Sequence, residues 1–436
     1  MRKISFSILI IFCIAACSDR GSVSEKPTGE FPVIDMIGSI GQFQRLYMSD
    51  FFSLIELIPL DIDSHFLIGT DPVVMMADSL IIISSIYLPR QAPPPRNIYV
   101  FDRSGRFVNQ ISRRGQGPRE YARMIDFFLN ADRTSVFINS LWTILEFGLD
   151  GTYIRTFPVP RENGHPPNHV MYLGNDLFLG VMGLFEGVVH RYLVFDSEGI
   201  VVQSFSSNLF WDMQSPIRNS RLVSMPPFII DGQVSVKESV NDTIFTFTDA
   251  GLQPSFVFNL GRYAYPLGRM NSEGKREILP VDPPTNTARF IGVEQFIGTS
   301  NFLFYTAFVP ERLPRPQPAR PIPDPYFPGR FISAHSRVFG IFDIAQNVNI
   351  LLDTHQQQRG FINDIDGGLS FFPIHYAGNG KLVDIWQAED MLELLTEEYF
   401  ATKTITDPEA HQRLREVLRN LVWDDNPVIV VARLRE

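Results

Sequence analysis

The feature of this sequence that most constrains its fold is a repeated pair of apolar strands. Each copy has an alternating strand that ends in Phe, a short polar turn and a second alternating strand, and this period-two pattern predicts a β-hairpin rather than a helix. The marker residues Phe101, Phe147, Phe195 and Phe247 lie 46, 48 and 52 residues apart, a period typical of β-propeller blades. The five copies are IYVFDRSGRFVNQI from Ile98, ILEFGLDGTYIRTF from Ile144, YLVFDSEGIVVQSF from Tyr192, IFTFTDAGLQPSFVF from Ile244 and VFGIFDIAQNVNILL from Val338.

The number of blades follows from the strands around these hairpins. Two further apolar strands precede each hairpin, so each repeat predicts a four-stranded antiparallel blade with strands A to D in chain order. A last unit has only three strands, near residues 361–365, 381–386 and 428–434. The unpartnered apolar strand at residues 52–60 can complete it, because closure pairs sheet edges that otherwise promote aggregation. The predicted fold is therefore an all-β, six-bladed β-propeller whose ring is closed by an N-terminal strand.

The N-terminal residues have the properties of a signal peptide. Arg2 and Lys3 precede thirteen uncharged residues, a run too short for a membrane span of about twenty residues. The sequence IAAC, which ends at Cys17, resembles the bacterial lipobox. We therefore expect cleavage before Cys17 and acylation of its thiol, which holds a protein on a bilayer without a transmembrane helix; ordinary cleavage is the alternative. The predicted parts are a signal peptide at residues 1–16, a lipidated tether at 17–48, most flexible at 18–30, and the propeller at 49–436.

Charge and cysteine content narrow the possible classes of protein. The chain has 38 basic and 48 acidic residues, and loss of the signal peptide makes it more acidic, so nothing indicates nucleic-acid binding. Cleavage removes Cys13 and acylation occupies Cys17, so stability must come from an apolar core rather than from disulfides. We expect a cell-envelope protein that contacts a membrane through its lipid anchor. Ser18 after the acylated residue favours the outer over the inner membrane.

With these features, the chain resembles the six-bladed β-propeller lipoproteins of Bacteroidota, an NHL-like propeller family. The most specific match is FDRSGRFVNQISRRGQGPREY from Phe101, where an outer hairpin is followed by a Gly-x-Gly-Pro-x-Glu-Tyr loop. Further matches are NDTIFTFTDAGLQPSFVFNLGRYAYP from Asn241, FINDIDGGLSFFP from Phe361 and DDNPVIVVARLRE from Asp424. The resemblance implies the propeller fold and a cell-envelope location, and it implies no defined activity.

The connections between strands differ in length on the two faces of the predicted ring. Turns between strands A and B and between C and D are short, whereas the long segments join B to C or one blade to the next. In the insertion of the last blade, Asp407-Pro408 starts a helix with Leu414 and Leu421 on one face, which predicts a lid. Because elaborated loops on a rigid scaffold carry function, we expect this long-loop face to bind a ligand; alternatively, the insertions plug the central channel. The long segments are residues 89–96, 113–123, 160–169, 265–288, 310–329 and 388–422.

Two of these loops contain candidate ligand-binding residues. Clustered guanidinium groups bind carboxylate, sulfate or phosphate in bidentate fashion, although pairing with neighbouring Asp and Glu is the structural alternative. A close pair of histidines in the next loop is a second candidate. The candidates are Arg113, Arg114, Arg119 and Tyr121 in the first loop and His165 and His169 in the second.

No metal, cofactor or catalytic residue is predicted. The two histidines lie in a Pro-rich loop rather than at helical ligand spacing, and no cysteine ligand remains after cleavage. Asn363, Asp364 and Asp366 lack the spacing of a calcium-binding EF-hand, so we expect a turn there. A remaining alternative is an aromatic surface that binds a sugar through Trp211, Tyr326 or Phe327.

The sequence thus predicts a noncatalytic cell-envelope lipoprotein that binds a ligand or a protein partner through its long-loop face. An envelope protein or a glycan is the expected partner. The alternative is a metal-assisted lyase or hydrolase of the kind that some NHL-type propellers carry. A third possibility is a structural partner of an outer-membrane transport complex.

Overall fold

Six four-stranded antiparallel sheets form a ring in the computed structural model, so the predicted all-β, six-bladed propeller is confirmed. Within each blade the strands are hydrogen-bonded in the order A, B, C, D, and the A strands surround the centre of the ring. The structure describes residues 31–61, 68, 72–77, 79–86, 96–183, 185, 188–206, 209–211, 225–248, 250–272, 274–279, 289–310, 313–314, 322–323, 331–332, 336–354 and 359–435.

Five blades are built from consecutive segments, as predicted. Blade one has Val73–Met76, Leu80–Ile86, Arg96–Asp102 and Phe107–Ile111, and blade two has Asp126–Leu129, Ser135–Asn139, Thr143–Gly148 and Tyr153–Pro158. Blade three has His169–Gly174, Leu177–Val181, His190–Asp196 and Val201–Ser206. Blade four has Phe228–Ile230, Gln233–Lys237, Thr243–Thr248 and Gly251–Phe258, and blade five has Gly292–Gly298, Phe302–Val309, Ser336–Asp343 and Val348–Leu351.

Blade six joins the two ends of the domain. Its strand B, Lys381–Trp386, pairs with strand C, Val428–Leu434, and strand C pairs with a strand D, Phe52–Pro59, taken from the N-terminal part of the chain. The predicted closing strand is therefore confirmed. Gly105 permits its junction with blade one, because a Cβ there would lie 1.8 Å from the carbonyl oxygen of Pro59.

Strand A of blade six is His375–Gly378, so the prediction of a strand at residues 361–365 is wrong. Asn363 Oδ1 accepts the backbone amide of Asp366 at 3.3 Å, and Asp366 Oδ1 accepts that of Gly368 at 2.8 Å. Such side-chain to backbone bonds turn the chain and compete with a strand ladder. Phe361 and Ile365 are buried, and the apolar character of this segment produced the false strand signal.

The chain joins the propeller earlier than the boundary predicted at residue 48, since the structured unit begins at Phe31. The strand Val33–Ile34 pairs in parallel with strand D of blade four, and helices α1 (Met36–Ser39) and α2 (Met48–Phe51) follow it. The first residue of each helix is fully buried. Because burial of these apolar side chains against the blades is favourable, the last residues of the predicted tether belong to the folded domain.

Phenylalanine side chains pack one blade against the next. Between blades two and three, the ring centroids of Phe137 and Phe178 are 5.3 Å apart with the rings nearly perpendicular, and those of Phe157 and Phe178 are 4.9 Å apart. Aromatic pairs of this kind contribute about 0.5–1.5 kcal/mol beyond the area that they bury. Of the repeated Phe residues, Phe101, Phe147 and Phe195 are likewise buried in the core, and Phe247 is partly buried.

The helical insertion of blade six, here named the lid, comprises α3 (Ala388–Leu394), α4 (Glu397–Ala401) and α5 (Pro408–Asn420). The predicted helix start is confirmed, because the Asp407 side chain accepts a backbone amide of the first turn at 2.9 Å. Leu414 is fully buried in the same core cluster as the closing strand. Within the described residues, no helix has the length and apolar character needed to cross a membrane.

A small additional sheet connects two of the long segments. Leu267–Met270 pairs with Arg276–Ile278 in antiparallel fashion, and Arg276–Ile278 also pairs in parallel with Leu209–Trp211 from the connection after blade three. The sequence did not predict these strands. Other predicted features lie outside the described residues: the signal peptide, Cys17, residues 18–30, most of loops 89–96 and 310–329, Tyr326, Phe327 and the Trp211 side chain.

Candidate functional site

The three arginines of the Gly-Pro loop have different partners. Arg113 Nε donates to Glu120 Oε1 at 2.6 Å. Arg114 Nε donates to a backbone carbonyl of the same loop at 3.3 Å. The guanidinium of Arg119 lies 5.3 Å from the ring centroid of Tyr153. Arg113 thus makes the pairing with an acidic side chain that the structural alternative describes, whereas the contacts of Arg114 and Arg119 are with a carbonyl group and an aromatic ring.

The rest of the loop is organised around Glu120 and Tyr121. A Cβ at Gly115 would lie 1.9 Å from Glu120 Oε2, so glycine allows the carboxylate to turn back and accept the Gly117 amide at 2.9 Å. That bond and the Arg113 guanidinium lower the pKa of Glu120. Tyr121 is 1% exposed in the core of blades one and two. The loop therefore stabilises itself through its own side chains.

The two candidate histidines also have separate partners. The His165 ring stacks on Phe185 with a centroid distance of 4.3 Å, while His169 Nδ1 lies 3.4 Å from Asp126 Oδ2. In the part of the chain that the structure describes, no three His, Cys, Asp or Glu side chains are grouped so that they could hold a metal ion.

The acidic segment near residue 364 forms the expected turn. The backbone amide of Ser49 donates to Asp364 Oδ1 at 2.9 Å, and the Ser49 hydroxyl donates to Oδ2 at 2.5 Å. Asp364 therefore attaches this turn to helix α2, directly before the closing strand.

The inner strands of all six blades surround a central cavity of about 2140 Å³. The lid contributes Asp390, Glu393 and Tyr399 to its lining. Pockets for drug-sized molecules occupy roughly 300–1,000 Å³, so this cavity has room for a larger ligand. The six ligand-binding residues predicted from the sequence are absent from its lining. The cavity is therefore a different candidate site from the one predicted.

Blades one to four form one side of this cavity, which we name the apolar wall. Among their described residues, Arg133 is the only charged residue of the lining. Val73 and Ile229 are 44% and 45% exposed there, so apolar surface faces water inside the cavity. The apolar wall consists of Val73, Val74, Met75, Phe128, Leu129, Met171, Leu173, Met225, Phe228, Ile229 and Val234.

Blades five and six, the lid and the N-terminal segment form the other side, which we name the charged wall. Arg45 Nε and Asp353 Oδ2 form an ion pair at 3.2 Å, and the other members include both signs of charge. The charged residues of the lining therefore lie almost entirely on this side of the cavity, where they are interspersed with apolar residues such as Phe296, Phe339 and Ile374. The charged residues of this wall are Arg45, Glu294, Arg337, Asp353, Arg359, Asp384, Asp390, Glu393 and Lys403.

Asp384 has the most distinctive environment in the charged wall. Its Oδ2 accepts the backbone amide of Phe372 at 2.9 Å, and its Oδ1 accepts that of Ile385 at 2.8 Å. Burial raises the pKa of Asp384 to about 7, although these bonds and the charge of Arg359 act in the opposite direction. Carboxyl groups with such a raised pKa in a cavity are typical of functional sites.

A β-bulge re-aims side chains of blade five toward the cavity. The register of strand A shifts between Glu294 and Phe296, and Gln295 has a φ of 50°. Thr306 Oγ1 donates to the Glu294 carbonyl at 3.3 Å and to Gln295 Oε1 at 3.1 Å. Two consecutive side chains, Glu294 and Gln295, are therefore exposed on a strand that would otherwise alternate. Bulges of this kind occur often beside binding and catalytic sites.

Arg133 and His375 join blades at the short-turn end of the cavity. Arg133, in the A–B turn of blade two, donates to the backbone carbonyls of Met76 in blade one and Ala377 in blade six. His375 Nε2 accepts the Met76 amide at 3.3 Å. Burial, together with the nearby Arg133 charge, lowers the pKa of His375 to about 3. The neutral imidazole and the guanidinium thus hold the seam where the ring closes.

Sequence reasoning missed this cavity because its lining residues come from every blade and form no local motif. One signal was available. The polar pair Glu294-Gln295 interrupts an apolar strand between Val293 and Phe296, and such an interruption is typical of a bulge or of a residue that faces a cavity.

Comparison with known proteins supports the fold and identifies the family. The chain is similar to a solved structure from Bacteroides fragilis, named a "Putative exported protein", with 13% identity and a TM-score of 0.59 over 93% of this chain and 100% of that chain. It is also similar to a DUF4221 family member from Bacteroides vulgatus, with 11% identity and a TM-score of 0.49 over 88% and 97% of the two chains. A search of curated proteins found no match. A family model described as "Domain of unknown function (DUF4934)" matches residues 31–433, and the chain therefore belongs to the DUF4934 family.

Proposed function

We propose that this chain is an exported, lipid-anchored binding protein that takes a ligand into its central cavity from the long-loop face. The observation that carries the proposal is the cavity of about 2140 Å³ where the inner strands of all six blades meet beside the lid. Rigid strands hold its lining residues in place, and such pre-organisation lowers the entropic cost of binding.

The position of the lid supports binding from the long-loop face. Residues of α3 and α4 line the cavity, and the insertion that contains them joins strands B and C of blade six on that face. At the other end, Arg133 spans from blade two to blades one and six. A ligand that enters beside the lid meets the charged wall first.

The N-terminal sequence supports export and anchoring. A short uncharged run after Arg2 and Lys3 ends at Cys17 in a sequence that resembles a lipobox. The Bacteroides fragilis protein that shares the fold also has a name that describes export. In this proposal the propeller is held at the cell envelope, on the outer membrane, by acyl chains on Cys17.

A cavity-filling variant tests the proposed site. Ile229 faces the cavity and is 45% exposed, whereas Ile154 is 50% exposed on the outer strand of blade two. Residues 18–436, which contain the whole structured unit, would be incubated with aqueous and organic extracts of Bacteroidota cells and repurified. Mass spectrometry would then identify the retained small molecules for the unsubstituted protein, Ile229→Trp and the control Ile154→Trp.

The proposal expects compounds that are retained by the unsubstituted protein and by Ile154→Trp but are lost from Ile229→Trp. Because both positions are about half exposed, neither tryptophan needs to disturb the core. Equal retention by all three proteins would show that the cavity is not the binding site. Retention by none of them would contradict a small-molecule binding function.

A further inference from the structure

The contrast between the two walls of the cavity specifies a class of ligand. We infer that the cavity binds an amphiphile with one hydrocarbon chain and a zwitterionic head, the chain against the apolar wall and the head against the charged wall. This inference rests on the proposed function, because it names the ligand of the same cavity.

The apolar wall supplies the argument for a hydrocarbon chain. Val73 and Ile229 are nearly half exposed in the cavity, and burying such apolar surface is favourable. Met75 and Met171 lie beside them in the lining, and methionine side chains adapt their shape to irregular apolar ligands. A sugar or a fully polar metabolite would leave this surface without a matching partner.

The charged wall supplies the argument for the head. Arg45 and Asp353 neutralise each other. The remaining cations, Arg337, Arg359 and Lys403, face a similar number of acids, Glu294, Asp384, Asp390 and Glu393. A head with a single charge would pair with the side chains of one sign and remove water from those of the other sign without offering them a partner, which is costly. A zwitterion presents a partner for both.

The environment of individual charges agrees with this assignment. Burial lowers the pKa of Lys403 and raises that of Glu294, so both groups are partly withdrawn from water. Lys403 Nζ lies 4.1 Å from the ring centroid of Tyr399, a distance at which the ring attracts the ammonium group and holds it in the wall of the cavity. A bound counter-charge would stabilise the ionised form of each group.

A series of alkylphosphocholines tests the inference directly. Octyl-, decyl- and dodecylphosphocholine would be titrated as monomers, below their micelle concentrations, into residues 18–436 by isothermal titration calorimetry. Each added methylene is expected to lower Kd about fourfold. Dodecanoate and dodecyltrimethylammonium, which carry one charge each, are expected to bind at least about tenfold more weakly than dodecylphosphocholine.

Matched variants test which wall contacts the hydrocarbon chain of the ligand and which wall contacts its head. Ile229→Asn is expected to weaken dodecylphosphocholine binding by roughly tenfold, and the control Ile154→Asn on the outer strand is expected to leave it unchanged. Arg359→Gln is expected to weaken dodecylphosphocholine by about tenfold and dodecyltrimethylammonium much less, because the guanidinium would contact the phosphate.

The outcomes separate this inference from the proposed function. Cavity-dependent retention of cell compounds without binding of any alkylphosphocholine would overturn the inference and leave the proposed function standing. Binding that does not depend on chain length, or dodecanoate binding as tight as that of dodecylphosphocholine, would also overturn it. If neither experiment depends on Ile229, both proposals fail.

Discussion

Arg191 and Glu238 form an ion pair inside the protein, with 2.7 Å between Nε and Oε1 and with side chains that are 1% and 7% exposed. Arg191 belongs to strand C of blade three, and Glu238 directly follows strand B of blade four. The pair therefore joins two blades whose strands share no backbone hydrogen bonds. Two charges withdrawn from water are tolerable only together, because each one alone carries a large desolvation cost.

Removal of one partner of this pair is expected to destabilise the propeller strongly. Arg191→Met or Glu238→Gln should lower the free energy of unfolding by about 3–5 kcal/mol, since each leaves an uncompensated buried polar or charged group. The double variant Arg191→Met/Glu238→Gln should cost less than the sum of the single changes. Urea denaturation of the four proteins measures these differences.

The matched control for this pair is an exposed one. Arg106 and Asp102 are 2.8 Å apart with side chains that are 75% and 25% exposed, so Arg106→Met should cost at most about 1 kcal/mol. Equal costs for Arg106→Met and Arg191→Met would show that the buried pair has no special structural role.

The closure of the ring is expected to depend on Arg133. Arg133→Met removes the hydrogen bonds to the carbonyls of Met76 and Ala377, and the loss should lower the free energy of unfolding by about 1–3 kcal/mol. Amide exchange should accelerate in the inner strands of blades one and six. The exposed Arg123 provides the control, because Arg123→Met should change neither quantity; unchanged exchange in Arg133→Met would refute this role.

The carboxyl group of Asp384 is expected to make stability depend on pH. Its pKa of about 7 in the folded protein exceeds the usual 3.8, so folding favours the protonated form. The resulting stabilisation is complete below about pH 3.8 and is lost as the pH rises through about 7. Asp384→Asn replaces one of the two acceptor oxygens by a donor, which costs stability alike at every pH. The stability of Asp384→Asn relative to the unsubstituted protein should therefore be higher at pH 8 than at pH 4 by roughly 1–3 kcal/mol.

Asp102 provides a control, because its pKa is shifted in the opposite direction. A hydrogen bond from the Ser104 hydroxyl is the main cause that holds the pKa of Asp102 below its usual range, so its contribution is present at neutral pH and is lost in acid. Asp102→Asn should destabilise the protein at pH 8 and much less at pH 3. If Asp384→Asn shows the same pH trend as Asp102→Asn, the interpretation of Asp384 is wrong.

The proposed lipid anchor is expected to require Cys17 and not Cys13. In a Bacteroidota host fed an alkyne-labelled fatty acid, the unsubstituted chain should incorporate label and sediment with membranes. Cys17→Ala should lose the label, because acylation needs the thiol that follows the cleavage site. Cys13→Ala should keep it, since the predicted cleavage removes that residue. Label on Cys17→Ala would exclude anchoring at this position.

The blades of this protein were predictable because a β-hairpin is formed by residues that are close together in the sequence. Alternation and turn residues within one short segment define two strands, and the period between Phe101, Phe147 and Phe195 defines how often the unit recurs. The closing strand Phe52–Pro59 was predictable for a related reason, since an amphipathic strand without a neighbour must find one. Alternation was misleading near Asn363, where side-chain bonds to the backbone produce a turn.

The candidate site was decided by tertiary structure alone. The sequence by itself determined six blades, the closing strand and a capped lid helix, because these depend on residues close together in the chain. Arg133 and Ala377 are 244 positions apart yet share a hydrogen bond, and the apolar and charged walls collect single residues from different blades. Which of these side chains meet depends on the packing angle and register of whole sheets, and no segment of the sequence encodes that geometry locally.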